Sequence, residues 1–478
     1  LFRSGVSQQS AVIYWVRRDL RLADNPAFTA AVQSGKPVLP VAINDQLQKD
    51  LGAAPKWRLG LGLEKFSASL DAIGSKLILR SGDPQQVLET LMRETGADYL
   101  VWNRIYETKA MARDSAIKQA FKQRGIKVDS FGGTILFEPM SIETKTGGFY
   151  RVFTPFWNAV KSRDVAAPLP KVMQFKAPSD WPRTEILSDW NMAKAMGRGA
   201  DVMRTHVQLG ETAACSRLAD FLQNDAAFYS QRRDIPAVQG TSGLAENLAL
   251  GEISPRQCWH AGLRAHFEGN GGAEAFLRQL VWRDFAYHLM YHTPHIAHSN
   301  WKPDWDGFPW SRDEDNPKVQ AWKQGRTGIR FVDAAMREMY VTGRMHNRGR
   351  MIVASYLTKH LMCHWRIGQK WFENCLIDWD CASNAMGWQW AAGSGPDAAP
   401  YFRIFNPETQ LAKFDPDGTY QKRWIAEISS NPGKTAMSYF AAVPKSWKLK
   451  PDMVYPDPVI ALPEGRQRAL RAYQNRSF

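Results

Sequence analysis

The hydrophobic pattern changes its period partway along the chain, and that change calls for two kinds of architecture. Through the first 135 residues, short apolar runs (AVIYWV, PVLPVAIN, KLILRSGD, DYLVWN, IKVDSFGG) alternate with amphipathic stretches such as QQVLETLMRETG. Strand-length runs spaced by helices predict an α/β domain with a doubly wound parallel sheet, because a parallel crossover needs a helix to bring the chain back. Such sheets take ligands beyond the carboxyl ends of their strands. No G-x-G-x-x-G follows the first run, where VRRDLRLADNP stands instead, and no Walker A loop occurs, so a Rossmann dinucleotide site is disfavoured. From 136 to 200 the pattern weakens into a Pro- and Lys-rich stretch, APLPKVMQFKAPSDWP, which reads as an interdomain linker laid over a surface. From 201 to 478 the periodicity is helical, as in FVDAAMREMYVTG and RMIVASYLTKHLMCHW, and predicts an all-α domain.

At 478 residues the chain is too long for one ordinary core, which agrees with two domains. No window approaches the roughly 18 uninterrupted apolar residues of a membrane helix. The start, LFRSGVSQQS, lacks a charged-then-apolar leader and a methionine, and reads as a truncated start. Five widely spread cysteines are an odd number and argue against a disulfide framework, so a reduced, cytoplasmic setting is expected. Cys363, Cys375 and Cys381 beside His364 fit no compact zinc spacing, and His288, His292, His295 and His298 lack the acid of H-E-x-x-H, so no metal is expected. A charge of +14, from 61 Lys and Arg against 47 Asp and Glu, favours a polyanionic partner through counterion release. Nineteen tryptophans sharpen this, because basic grooves with aromatic platforms hold unpaired bases.

Three segments carry candidate chemistry. Gly240, Thr241, Ser242 and Gly243 form a small polar loop before a helix, read either as a phosphate cradle or as an ordinary N-cap at Ser242. In GRMHNRGRM, Arg348 and Arg350 lie two residues apart within a helical pattern, so they face different directions. One turned inward requires a buried acid, for which Asp378 or Asp380 is the candidate. Those two acids open DWDCASNAMGWQW, which joins acids and three indoles without an evident general base.

The chain resembles the photolyase/cryptochrome family, closest to bacterial cyclobutane pyrimidine dimer photolyases, in WVRRDLRLADNPA, RDIPAVQGTSGLAENLALGEISPRQ, QLVWRDFAYHL, MHNRGRMIVASYL and DWDCASNAMGWQWAAGSGPDAAPYFRIFNP. The resemblance implies FAD in the helical domain and blue-light electron transfer from reduced flavin into a damaged pyrimidine pair, for which a flavin-tuning shell and a wire of indoles matter more than a base. It implies that Tyr229, Thr241, Ser242, Gly243 and Leu244, joined by Arg283, hold the FAD phosphates and nearby atoms. Asn347, Arg350, Asp378 and Asp380 are then expected around the flavin ring and its sugar, with Arg350 and Asp378 as a salt bridge. Asn384 is expected at flavin N5, where an amide hydrogen-bonds without being a ready proton source. Trp388, Trp365 and Trp310 match the family's chain from flavin to surface. Trp282 and Trp390 match lesion-stacking positions, and Arg233, Asn347, Arg348 and Met351 match the lining of the lesion pocket.

The departures from the pattern bear on specificity. Gln279 stands one helical turn before Trp282, where dimer photolyases carry glutamate and photolyases for the pyrimidine-pyrimidone photoproduct carry glutamine. Asn347 and Met351, however, stand where the latter use histidines, and this favours the cyclobutane dimer. Thr108 and Lys109 replace the Asn-Glu of folate-binding relatives, which leaves folate, a deazaflavin or no antenna chromophore as alternatives. A signalling cryptochrome is the alternative function, disfavoured because the chain stops at RAYQNRSF without a long polar tail. A generic flavin oxidoreductase is disfavoured because no nicotinamide motif is present. The expected partner is DNA carrying UV-induced pyrimidine lesions, met by a monomer.

Overall fold

The apolar runs of the first 135 residues form five strands, β1 Val12–Val16, β2 Val38–Asn44, β3 Ile78–Ser81, β4 Tyr99–Asn103 and β5 Lys127–Phe131, in a computed structural model that describes residues 10–399, 401 and 403–478. The reading of the chain start lies outside the described residues. All pairings are parallel, in the order β3-β2-β1-β4-β5, with Val12 in register with Val38 on one side and Tyr99 on the other. Every residue of β1 is buried: Val12, Tyr14 and Val16 pack into one apolar layer, and Ile13 and Trp15 into the opposite one. Helices on both faces explain why β1 reads as a continuous apolar run instead of an alternating one. The order reverses between β1 and β4, so the switch point lies at their carboxyl ends.

The stretch 136–200 returns along the α/β part. Val38 N, at the start of β2 ahead of its pairing with β3, donates to Lys176 O at 3.0 Å, while Leu79 N donates to Thr184 Oγ1 at 2.9 Å and Glu185 N to Leu79 O at 2.9 Å, which covers the open side of edge strand β3. The same stretch also carries the helix Phe153–Val160, whose Phe153, Phe156, Trp157 and Val160 are buried in a core shared with the helical part. Their i, i+3, i+4 spacing is an amphipathic pattern inside a segment that otherwise reads as connection.

Beyond residue 200 the described residues form helices and no strand. The helix Ala273–His292 has twelve buried residues and spans one core. The helix Cys381–Ala392 lies between two cores, giving Ala382 and Ala385 to one and Trp388, Ala391 and Ala392 to the other. In RMIVASYLTKHLMCHW the α-helix ends at Ser355 and continues as a π-turn over Tyr356–His360. The two parts meet tightly. The helix Ala53–Asp71 opens with Ala53 N donating to Asn374 Oδ1 at 3.1 Å, and a Cβ at Gly52 would sit 2.0 Å from Glu373 O. No described helix is long and apolar enough to cross a membrane.

Candidate functional site

The helix Asn347–Ser355 begins with His346 as N-cap, its Nδ1 accepting from Arg348 N at 3.2 Å. Two residues apart on this helix, Arg348 and Arg350 diverge as the helical period requires. Arg350 Nη2 donates to Asp378 Oδ2 at 2.6 Å, and its Nε donates to Met345 O at 2.9 Å. Arg348 pairs with Asp234 at 2.8 Å and lies 4.4 Å over the Phe414 ring. The Asp378 side chain is only 8% exposed and, among the described residues, its Oδ1 has no partner. His346 Nε2, Arg344 Nε and Trp388 Nε1 are likewise buried without one. Buried polar atoms are ordinarily satisfied, so a carboxylate oxygen lacking a donor beside a paired arginine fits a ring that brings its own N–H. On this ground the residues present fit a flavin.

Asp380 ends the preceding loop as N-cap of Cys381–Ala392. Its Oδ1 accepts from Ser383 N at 2.7 Å, its Oδ2 from Tyr287 Oη at 2.7 Å, and Arg283 Nε lies 3.6 Å away. Both carboxylate oxygens thus have donors within the chain, and Asp380 fixes the start of the helix that carries Asn384 and Trp388. Asn384 Nδ2 donates to Asp380 O at 3.0 Å, which sets its rotamer. Arg283, expected to join the loop 241–244 in holding the FAD phosphates, makes its own contacts within the chain elsewhere. Its Nη1 donates to Thr134 O at 2.6 Å and its guanidinium stacks 5.0 Å from the Tyr287 ring, so among the described contacts it ties the helical part to the connection. Tyr229 is buried beside Phe221 at 5.6 Å, and burial raises its phenol above the usual range. Gly243 adopts φ +62°, and the short helix after it is capped by Leu244 with no side-chain bond, so Ser242 is not an N-cap.

The indoles form two groups. Trp388 is 2% exposed, packs against Gly368 so closely that a Cβ there would lie 2.0 Å from its ring, and meets Trp322 edge-on at 6.1 Å. Trp365 donates to Asn300 Oδ1 at 2.8 Å and Trp310 to Thr358 O at 2.8 Å. The His364 ring stands between these two, 5.4 Å from Trp365 and 5.6 Å from Trp310. Trp310 is 6% exposed, under Trp305 and Phe308, so the surface end expected of it is buried.

On the other side Trp282, half-buried, has one face stacked on Phe153 at 3.6 Å and 9°. Gln279 and Trp390 are half-buried, Asn347 is exposed with its amide 3.8 Å from Met351 Sδ, and Arg233 lies 5.7 Å over Tyr229. Beside them opens a cavity of about 570 Å³ whose cations are Arg348, Arg403 and Lys413 and whose aromatic walls are Phe405 and Phe414. Sequence reasoning missed Phe153, Asp234 and Phe414. Only Phe153 left a local signal, the apolar spacing of FTPFW; the others become neighbours through the fold. Behind Arg350 sits Glu338, which accepts from Tyr420 Oη at 2.5 Å and from His346 N at 3.3 Å, and whose carboxyl burial pushes up to about 7. Burial first, then Arg348 and Arg350 against the pull of Asp234, hold His346 down at about 4.

A family model described as the FAD binding domain of DNA photolyase matches residues 276–475, and one described as DNA photolyase matches 12–174. The deoxyribodipyrimidine photo-lyase of Agrobacterium fabrum is 44% identical over 468 residues, 97% of each chain. The crystal structure of a class III photolyase from Agrobacterium tumefaciens superposes with a TM-score of 0.89 at 43% identity, over 99% of this chain and 98% of that one. An archaeal photolyase from Sulfolobus tokodaii, solved with two FAD molecules, superposes with a TM-score of 0.78 at 28% identity, over 97% of this chain and all of that one, 100%.

Proposed function

This chain belongs to the DNA photolyase family, and from that premise we infer that it is a deoxyribodipyrimidine photo-lyase, a light-driven DNA repair enzyme that binds FAD. Its substrate is the cyclobutane pyrimidine dimer in DNA. The observation that carries the flavin site is the Arg350–Asp378 pair with one carboxylate oxygen unpartnered and buried. Bound and reduced, FAD supplies the electron that blue light sends into the lesion. Asp378, held in place by Arg350, would accept a hydrogen bond from the ring, and Asn384, its amide anchored on Asp380 O, would meet it with a group that does not titrate. The loop Thr241–Leu244 and Tyr229 take the phosphate side. Trp388, Trp365 and Trp310, the last two bridged by His364, would carry electrons toward an oxidised cofactor.

Gln279, Trp282, Trp390, Arg233, Asn347, Arg348 and Met351 hold the flipped lesion. Flipping costs a few kcal/mol, least where damage has weakened the pairing, and indole stacking offsets it. Phe153 keeps one face of Trp282 covered, so the ring presents its other face to a base. Folate, deazaflavin or no antenna remain the alternatives for light harvesting; the second FAD belongs to the Sulfolobus tokodaii protein. The domains are 1–135 for the α/β antenna-type part, 136–200 for the connection and 201–478 for the FAD-binding part, in a cytoplasmic monomer. Gln279 supports a second reading, repair of the pyrimidine-pyrimidone photoproduct. Blue-light repair by the reduced protein, on oligonucleotides carrying one lesion or the other, decides between them. Activity on the cyclobutane dimer is expected, and activity on the other lesion alone would reverse the assignment.

A further inference from the structure

A buried ionic cluster lies behind the loop Gly240–Gly243. Arg58, 0% exposed, makes a fork to Glu252 at 3.0 and 2.6 Å and reaches Glu246 at 3.4 Å. Arg217 Nη1 donates to Glu246 Oε1 at 2.9 Å, to Asn247 Oδ1 at 2.8 Å and to Gly243 O at 2.6 Å. Arg344 Nη2 donates to the same Glu246 oxygen. Asn247 Nδ2, neutral, closes the cluster on Glu252 Oε2 at 2.6 Å. Three guanidiniums therefore share two carboxylates, and one positive charge is left over.

A guanidinium in surplus in a low-dielectric setting is costly unless an anion answers it. Arg217 shows the strain: burial first, and then Arg344 and Arg58 against the pull of Glu246, hold it below its ordinary value. Arg344 is the outward member, with its side chain 31% exposed and its Nε buried without a partner among the described residues. Its chain neighbours border the flavin side, since Gly343 O accepts from Ile377 N, next to Asp378, at 2.9 Å, and Met345 O accepts from Arg350 Nε at 2.9 Å. The surplus charge thus lies between the Arg350–Asp378 pair and the loop 240–243.

We propose that Arg344 binds the diphosphate of the flavin cofactor, and that Arg217 is a positioning residue that fixes the loop through the Gly243 carbonyl. The diphosphate anion answers the surplus guanidinium. Through Arg58, on the helix Ala53–Asp71, the same cluster joins cofactor retention to the seating of the N-terminal part. This rests on the FAD reading.

The test is the rate at which purified holoenzyme releases FAD on dilution, followed by flavin fluorescence across a series of KCl concentrations. Arg344→Met keeps the length of the side chain at a partly exposed position and removes its charge; it is expected to release FAD about tenfold faster, the scale of one charge-assisted bond. It should also flatten the KCl dependence, because screening acts on the charge that has gone. Arg344→Lys should recover most of the salt dependence. Release by Arg344→Met at the parent rate, or faster release with the parent's KCl dependence, overturns the proposal, the latter by assigning Arg344 to packing. A parent that itself holds no flavin overturns the FAD reading together with this one, whereas a loaded parent with an indifferent variant overturns this one alone.

Discussion

At the carboxyl ends of β1 and β4, Asp19 Oδ1 accepts from Arg17 N at 2.8 Å, and its Oδ2 from Tyr14 Oη and Asn103 Nδ2, both at 2.6 Å. Asp114 takes Arg17 on one oxygen and Arg113 on the other, at 2.8 Å. Beside the helix Cys381–Ala392, Asp378 has Arg350 on one oxygen and, among the described residues, nothing on the other. Each region holds arginines, acids and two tryptophans in contact, Trp15 with Trp102 at 5.7 Å and Trp388 with Trp322 at 6.1 Å. What separates them is the state of their polar atoms. A crevice whose charges satisfy one another is held rigid by its own side chains, whereas one left a donor short is set for a group from outside. Residue inventory alone would have ranked the switch-point crevice equally.

The largest expected effect concerns the indoles. Trp388→Phe should abolish light-driven reduction of oxidised flavin while leaving repair by chemically pre-reduced enzyme, and Trp102→Phe should change neither. Flavin absorbance under blue light measures the first and a dimer repair assay the second. Equal loss of photoreduction in both variants would break the contrast.

Next in size is the pair of arginines. Arg350→Leu should cost about 3 kcal/mol, the low end for stranding a buried acid because Arg350 is partly exposed, and should release flavin. Arg17→Leu, which leaves Asp114 its Arg113 partner, should destabilise by less and keep flavin. Thermal unfolding with the bound-flavin absorbance read in parallel separates the two. Flavin loss in Arg17→Leu would mean the α/β crevice also supports the cofactor.

On the lesion side, Trp282→Ala should weaken binding to dimer-containing DNA by about 1–3 kcal/mol, the worth of one stacked base, and leave intact duplex nearly unaffected. Phe153→Ala should show a smaller loss in the same direction, since it removes only the backing of that ring. Electrophoretic titration at fixed salt reads both; a loss equal on damaged and intact DNA would make Trp282 a general contact.

The smallest effect is in the pH dependence of stability. The Glu338 carboxyl titrates near 7 in the folded protein against 4.5 unfolded, so the folded state binds the proton more tightly. Its contribution is fully present below pH 4.5 and is lost as pH rises through 7. Because Glu338 keeps some solvent contact, the loss should be on the order of 1 kcal/mol. Glu338→Gln should flatten that fall in unfolding experiments across the window, and a variant whose curve parallels the parent's would place the carboxyl in an ordinary environment.

Parts of the site were legible because they are local. Asp380 precedes Ser383 by the three residues of an N-cap, a local signal that the sequence reading, which took it as an acid for an inward arginine, passed over. Arg348 and Arg350 had to diverge because a helix turns about 100° per residue, and they do. The strands of the α/β part were legible because both faces of β1 are covered, which leaves an unbroken apolar run.

The amino-acid sequence by itself determined the period of each half, the parallel sheet and the helical domain, and it named the candidate side chains for a flavin and for stacked bases. These follow from spacing along a regular element, which neighbouring residues share. Only the tertiary structure decided the strand order, the burial of Trp310, the stacking of Phe153 on Trp282, the tie of Arg283 to Thr134 and the pairing of Arg348 with Asp234. Each of these joins residues from separate segments. Period and propensity report which face of an element is apolar, but not which other element covers it, and whether a polar atom is left without a partner depends on that covering.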